Sequence, residues 1–405
     1  MRVLHVQYTN PGAYPPLVRG AQLLAESGAE VLMLGTQLAG LEALSVTNAP
    51  GISVRLMESA GEGWRLKAHY ARYAAWVARE GAAWRPDWIY ASDVLAAPIA
   101  LMLATVTGAT IVYHEHDAPS REHDSWTIRQ CLAARRRLVR QAAIVVAPNA
   151  DRAEHLSREL GGGRPVYTVW NCPRKPGVAS AGRLVGATPV GEDAAPGAAL
   201  RVIFRGSINA TRFPPTIIEA LALSAVPIAL DIVGYETAGS RGYVSALMRR
   251  ATELKVTPLV RTWGTLSEAQ VGPLCARSDL GLALMPMRSA DENMRHMVGA
   301  SNKVFEYFAY GVTPVVSDLP DWRATLVEPG YALACDAGDA ESVLRALQWA
   351  VDHPRERRAM AERGRARLHD DWNYEAQFAP VLRAMQARTP PAARPLGSEA
   401  VQCVS

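Results

Sequence analysis

Two periodicities alternate along the chain. Short continuous runs of apolar and β-branched residues predict buried strands at 3–8, 30–35, 53–57, 88–91, 110–113 and 143–147. Between them, apolar positions recur at helical spacing over 16–27, 66–83, 94–107, 128–141 and 150–160. Strictly alternating strands and helices imply parallel strands joined by right-handed crossovers. Residues 1–173 therefore read as one Rossmann-like domain.

The pattern then fails. Residues 174–200 are rich in Gly, Ala and Pro and carry no period, which predicts an interdomain connection. A second series follows over 201–373. Its strands are expected at 201–205, 229–233, 259–263, 280–284, 313–317 and 331–334. Its helices are expected at 215–224, 243–254, 268–277, 302–310, 340–352 and 354–370. A last helix is expected at 374–388, and the Pro-rich stretch 389–405 reads as a tail. The fold class is α/β, with two doubly wound domains whose strand ends face a central cleft, where such sheets bind ligands.

The most informative stretch is 301–321, SNKVFEYFAYGVTPVVSDLPD. Ser301 is a good N-cap, the following turn is helical, and Gly311 supplies a left-handed stop before a β-branched strand. A helix start attracts anions, and Lys303 adds a full charge where a cation opposes the helix dipole. Glu306, one turn on, can accept hydrogen bonds from two vicinal hydroxyls. Together these suit a nucleoside diphosphate and its ribose, although an ordinary helix–strand unit uses the same residue types.

Composition narrows the choice. The chain has 405 residues, 49% hydrophobic and 20% charged, enough for two domains. A net charge of +4 is too small to make nucleic acid the main partner. The five cysteines are scattered without a CxxC pair, which argues for a reducing compartment and against a disulfide framework or structural zinc. No signal-peptide layout opens the sequence, and no apolar run approaches the ~20 residues of a membrane span. A cytoplasmic protein is expected, at most touching the inner face of a membrane.

Lys303-x-x-Glu306-Tyr307, followed by Ala309-x-Gly311-x-x-Pro314-Val315-Val316, resembles the nucleotide-sugar site of GT-B glycosyltransferases, in particular the retaining group called family 4. The resemblance implies transfer of a sugar from a UDP- or GDP-linked donor to an acceptor hydroxyl, in bacterial polysaccharide, glycolipid or glycoconjugate synthesis. It also implies no required cofactor and no metal: Lys303 and Arg212 would neutralise the departing diphosphate, and its oxygen would take the acceptor proton. By the same resemblance Glu306 holds the ribose, Ser301 and Asn302 flank the diphosphate, and the helix at 374–388 crosses back to the first domain. The strand end Phe204-Arg205-Gly206-Ser207 forms a phosphate-side loop reaching Arg212, which could equally be a solvated loop arginine. Gly234, Thr262 and Gly264 would shape the base pocket.

In the first domain, Tyr113-His114-Glu115-His116-Asp117 is similar to the Tyr-Asp-x-His-Glu signature of these enzymes. His116 would contact sugar or acceptor, with Asp117 beside it; a metal between the histidines is a second reading. Gly12 and Tyr14 lie where a glycine-rich turn makes room for diphosphate or acceptor. The long polar loop 286–300 offers Arg295 and His296 to phosphate or sugar. The family often has a glutamate eight positions before Glu306, where this chain has Val298; Glu292 is a candidate substitute or a solvated acid. Arg129, Arg135, Arg136, Arg137 and Arg140 form a basic amphipathic helix suited either to anionic lipid or to solvent. Two other functions fit the same residues: a sugar-nucleotide epimerase of the same fold, and a non-catalytic sugar-nucleotide-binding protein.

Overall fold

In the computed structural model, residues 1–37, 48–58, 64–119, 125–159, 161, 165–175 and 197–388 are described. The first sheet comprises β1 (Arg2–Val6), β2 (Glu30–Gln37), β3 (Ile52–Glu58), β4 (Trp88–Ser92), β5 (Thr110–His114), β6 (Ile144–Ala147) and β7 (Tyr167–Thr168). Its order is β3-β2-β1-β4-β5-β6-β7, parallel throughout. The second comprises β8 (Leu200–Ile208), β9 (Ile228–Glu236), β10 (Val260–Gly264), β11 (Leu280–Ala283), β12 (Thr313–Ser317) and β13 (Leu333–Cys335). It is also parallel, in the order β10-β9-β8-β11-β12-β13.

Period-two alternation explains why both sheets are buried on both faces. On β1, Leu4 and Val6 enter one core with Tyr73, Ile89 and Leu103, while Val3 enters the other with Leu17, Trp88 and Val112. The second sheet likewise separates a core around Phe204 and Leu282 from one around Phe305, Tyr307 and Trp322. Each strand order reverses once, at β1/β4 and at β8/β11. These switch points open crevices at the strand C-termini, and the two crevices share the cleft.

The final helix, Tyr374–Arg388, does lie on the first domain, burying Tyr374, Phe378, Val381 and Met385 among Val3, Leu17 and Val146. The Tyr374 amide donates to Pro173 O at 2.9 Å, so the two chain crossings run side by side. Most of the expected connection, residues 176–196, and the expected tail, 389–405, lie outside the described residues.

Local chemistry moved several boundaries. β8 and β9 run past the predicted strand ends because Gly206 and Gly234 pair in register and let the ribbon continue to Ile208 and Glu236. The helix after the polar loop begins at Lys303, its N-cap is Asn302 and no side chain caps it. Ser301 is buried with its amide on Met297 O, so its expected cap role is overturned. Two-residue β7 carries too short an apolar pattern to stand out in sequence.

Candidate active site

A cleft with about 860 Å³ of empty space lies between the domains. Its first-domain wall is Gly12, Ala13 and Pro15; opposite stand Arg205, Gly206, Ser207, Arg212, Gly234 and Tyr235, with Asn302, Lys303 and Glu306 at the base. Two glycines make the approach possible. Gly206 and Gly234 have φ of 120° and 146°, and a Cβ on Gly234 would fall 1.8 Å from Gly206 O. Only glycine fits there, and backbone thereby becomes part of the cleft wall.

Lys303 is the anomaly in this cleft. It is buried and lines the open volume, yet its Nζ has no hydrogen-bond acceptor and rests 4.6 Å from the Phe204 ring centroid. Burial, then the charge of Arg212, holds its ammonium well below the usual lysine range, against the pull of Glu306. An amine buried without an acceptor carries a desolvation cost that an anion in the open volume would relieve.

Glu306 is placed differently from the expectation. Its carboxylate is 4% exposed and already engaged: Arg19 Nη2 and Asn302 Nδ2 donate to Oε1 at 2.9 and 2.8 Å. Arg205 Nη1 lies 3.1 Å from Oε2. Arg19 belongs to the first-domain helix Pro15–Glu26 and also donates to Cys172 O at 2.9 Å, so this pairing ties the lobes beside the chain crossing. A carboxylate accepts up to about four hydrogen bonds, which leaves room for one from a ribose hydroxyl rather than a free bidentate grip.

The first-domain histidine is deep. His116 is 4% exposed, its ring centroid 3.8 Å from that of His114, tilted by 33°, and 5.7 Å from that of Tyr14. Neither ring nitrogen has a partner, and burial pushes the imidazole down to about 4, so it is neutral at physiological pH. Burial also drives the neighbouring His5 down to about 3. Among the described residues, no three His, Cys, Asp or Glu are grouped to hold a metal ion, and the metal reading of His114 and His116 has no geometric support.

Several expected residues lie elsewhere. Thr262 and Gly264 are exposed, whereas Thr265 and Leu266 line the cleft instead, because β10 bulges between Thr262 and Gly264. Arg295 and His296 line a separate hollow with Pro286, Arg288 and Asp321. Arg295 pairs with Glu292 at 3.2 Å, and His296 sits 3.4 Å from Glu292 and 3.6 Å from Asp151. Glu292 thus belongs to this group and does not line the cleft. Asp117 is exposed, 3.4 Å from Arg152. Of the five arginines on helix Trp126–Gln141, Arg135 is fully buried and clasps Glu115 and Glu159, so it faces neither lipid nor water.

Sequence reasoning also missed residues. Buried Arg152 donates to His116 O at 2.7 Å and to Asn293 O at 2.6 Å; Asn149 donates to Val298 O at 2.7 Å. These clamp loop 286–300 against the first domain. Arg205 and Arg19 were equally unmarked, since their partner Glu306 is distant in sequence; a basic residue directly before the strand-end glycine was the available signal.

Residues 17–173 match a family model described as a glycosyl transferase 4-like domain, and residues 217–383 match one described as glycosyl transferase-like. The chain belongs to the GT-B glycosyltransferases. Its architecture is similar to that of Anabaena HepE solved with UDP-glucose, at 18% identity over 96% of this chain and 100% of that one, with TM-score 0.70. Sucrose-phosphate synthase from Thermosynechococcus elongatus matches at 13% identity, with 96% and 100% coverage and TM-score 0.70. Trehalose 6-phosphate synthase from Burkholderia multivorans matches at 17%, with 96% and 99% coverage and TM-score 0.67. No curated protein sequence matches. The GT-B glycosyltransferase thus has its cleft where this fold places the junction of two nucleotide-binding-type sheets.

Proposed function

We propose that the glycosyltransferase takes its sugar from a nucleoside diphosphate donor, UDP- or GDP-linked, and delivers it with retention to an acceptor hydroxyl in bacterial polysaccharide, glycolipid or glycoconjugate synthesis. The observation that carries the donor assignment is the unpaired, buried Nζ of Lys303 facing Arg212 across a glycine-lined cleft. One protein of the same fold, Anabaena HepE, solved with UDP and with UDP-glucose, supports the uridine option. The retaining outcome rests on the sequence resemblance alone.

The chain's own groups account for the chemistry without a metal or organic cofactor. Diphosphate charge is met by Lys303 and Arg212, a preorganised cradle of the kind that best stabilises charge growing on a leaving group. Glu306, oriented by Arg19, Arg205 and Asn302, receives a ribose hydroxyl. Neutral His116 offers a hydrogen bond to donor sugar or acceptor, beside Tyr14. Closure across Arg19–Glu306 excludes water.

Membrane contact has a candidate surface. Helix Trp126–Gln141 exposes Trp126, Arg129, Arg136, Arg137 and Arg140, and helix Asp93–Thr107, packed beside it, exposes Met102 and Val106. Aromatic and basic residues together suit an anionic lipid interface and a lipid-linked acceptor. Among the described residues no helix is long and apolar enough to cross a membrane.

A thermal-stability scan over UDP, GDP and ADP tests the donor reading, since a ligand at 100 times its Kd adds about 2.7 kcal/mol. The Glu306→Gln variant, which keeps an acceptor for Arg19 and Asn302, should keep the fold and bind the stabilising nucleotide more weakly. If none of the three nucleotides moves the melting temperature, the donor site is wrongly placed.

A further inference from the structure

At the switch point of the first sheet, β4 ends in Ser92 and the chain enters helix Asp93–Thr107 through a single residue with left-handed backbone: Asp93 has φ of 62°. Left-handed backbone disfavours an ordinary L-residue, and glycine or asparagine would sit there with less strain. Such strain persists where the side chain is needed.

Its side chain has a definite target. Asp93 Oδ1 accepts from the His116 amide at 2.7 Å and from the Asp117 amide at 3.4 Å. One carboxylate therefore pins the loop after β5 to the end of β4. The loop it pins carries the imidazole whose two buried ring nitrogens are unpartnered, and Ser92, the strand residue before Asp93, has an unpartnered Oγ too. His116 cannot be held through its own ring nitrogens, so its position depends on ring packing against His114 and Tyr14, on the Arg152 bond to its carbonyl and on the amide bonds to Asp93.

We propose that Asp93 is the positioning residue for His116, and that ionised Asp93 holds the imidazole in its working place while protonated Asp93 releases it. The inference rests on the assignment of His116 to the reaction site, but its structural half can be tested without any nucleotide. Charge-assisted bonds to amides are roughly twice as strong as neutral ones, so the grip depends on the carboxylate's charge. The groups around it set where that charge is lost. Burial, then Asp117 and to a lesser degree Glu115, push the Asp93 carboxyl up to about 7, while the two amides oppose the shift. Glu115 is itself held by Arg135, and Asp117 by Arg152; the Tyr14 hydroxyl also feels Asp93 and is pushed upward, mainly by burial. His116 is already neutral across this range and does not titrate there.

Substitutions separate charge from shape. Asp93→Asn keeps an amide acceptor and suits the left-handed backbone, but removes the titration; Asp93→Gly relieves the backbone and removes the acceptor. With ¹⁵N-labelled histidine, the His116 ring signals, assigned through His116→Gln, should move with pH with a midpoint near neutrality in the wild type. The step should vanish in Asp93→Asn, and Asp93→Gly should show the low-pH position at every pH. Hydrolysis of UDP-glucose and GDP-mannose, with water as acceptor, gives the activity readout. The kcat of wild type should fall about tenfold per pH unit on the acid side, and Asp93→Asn should lack that limb. Asp93→Gly should lose at least tenfold in kcat with donor KM unchanged. A His116 step that persists in Asp93→Asn, or its absence in the wild type, overturns the inference. Failure of every nucleotide to bind overturns the donor reading instead and leaves the histidine titration to decide this one.

Discussion

Replacing Lys303 by Met should change stability and ligand affinity in opposite directions. The side chain is buried against Phe204, and methionine reproduces its length without the ammonium. Leaving a buried polar group unpaired costs about 1–3 kcal/mol, so the empty variant should gain stability of that order. The lost charge-assisted bond to diphosphate is worth about 1.5–3 kcal/mol, which is roughly 10- to 150-fold in Kd. Take a nucleotide at 100 times the wild-type Kd. It adds about 2.7 kcal/mol to the wild type, but only about 0.9 kcal/mol to a variant whose Kd is about 30-fold weaker. At about 2–4 °C per kcal/mol for a domain of this size, the wild type should rise by ~5–11 °C and the variant by ~2–4 °C. The melting curves, the variant's higher without ligand, should therefore converge or cross when nucleotide is added. A Lys303→Met protein that melts earlier than wild type when empty, and binds nucleotide equally well, would show that the lysine is a packing element and refute the anion cradle.

Other outcomes follow from the same geometry. A lysine depressed in the folded state weakens the fold most at lower pH; its penalty fades as pH climbs from the depressed value toward the usual ~10.4. Urea midpoints of the empty protein should accordingly rise with alkalinity more in wild type than in Lys303→Met, and equal slopes would contradict the depressed lysine. Diphosphate should re-protonate Lys303, so calorimetry at pH 8 in buffers of different ionisation enthalpy should register proton uptake that Lys303→Met lacks. Gly234→Ala should leave the second domain unfolded or insoluble, because its methyl would strike the Gly206 carbonyl; a well-folded, nucleotide-binding variant by circular dichroism and thermal shift would disprove the forced approach. Arg19→Met removes one of three donors to Glu306 and the donor to Cys172 O, and should cost about 2–3 kcal/mol. Small-angle scattering should find its lobes further apart, and an unchanged radius of gyration would mean that Arg19 does not hold them. Trp126→Ala combined with Arg136→Glu and Arg137→Glu should abolish co-sedimentation with phosphatidylglycerol vesicles while leaving nucleotide binding intact; persistent sedimentation would place the lipid surface elsewhere.

The architecture was legible because both sheets are parallel and doubly covered, so every buried strand appears as a continuous apolar run. Tyr167–Thr168 escaped that signal for want of length. The site was legible where it is local: Gly206, Gly234 and Lys303 stand within short motifs, and the structure brings them together. It was opaque where partners are far apart. Nothing near Glu306 announces Arg19, 287 positions away, and the result is a carboxylate that was read as free but is held on three sides. Ser301 looked like a cap because capping was judged from residue type, whereas the turn closed by its amide on Met297 O puts the helix start one residue on, at Asn302. Arg295 and His296 were read toward the ligand because a long polar loop suggests one; Asn149 and Arg152, just before and within the helix Ala150–Glu159, turn that loop toward the other lobe. Asp93 went unread, just before the helix expected at 94–107, since backbone hand is invisible in a sequence.

The return of the last helix to the first lobe has a consequence for synthesis. Val3, Leu17 and Val146 are covered by residues near the far end of the chain, so the lobe made first emerges with one face bare. It must stay that way until the second lobe has been completed and Tyr374–Arg388 has been delivered. A fragment ending before that helix should bind chaperones or aggregate, and supplying the helix as a separate peptide should rescue its solubility.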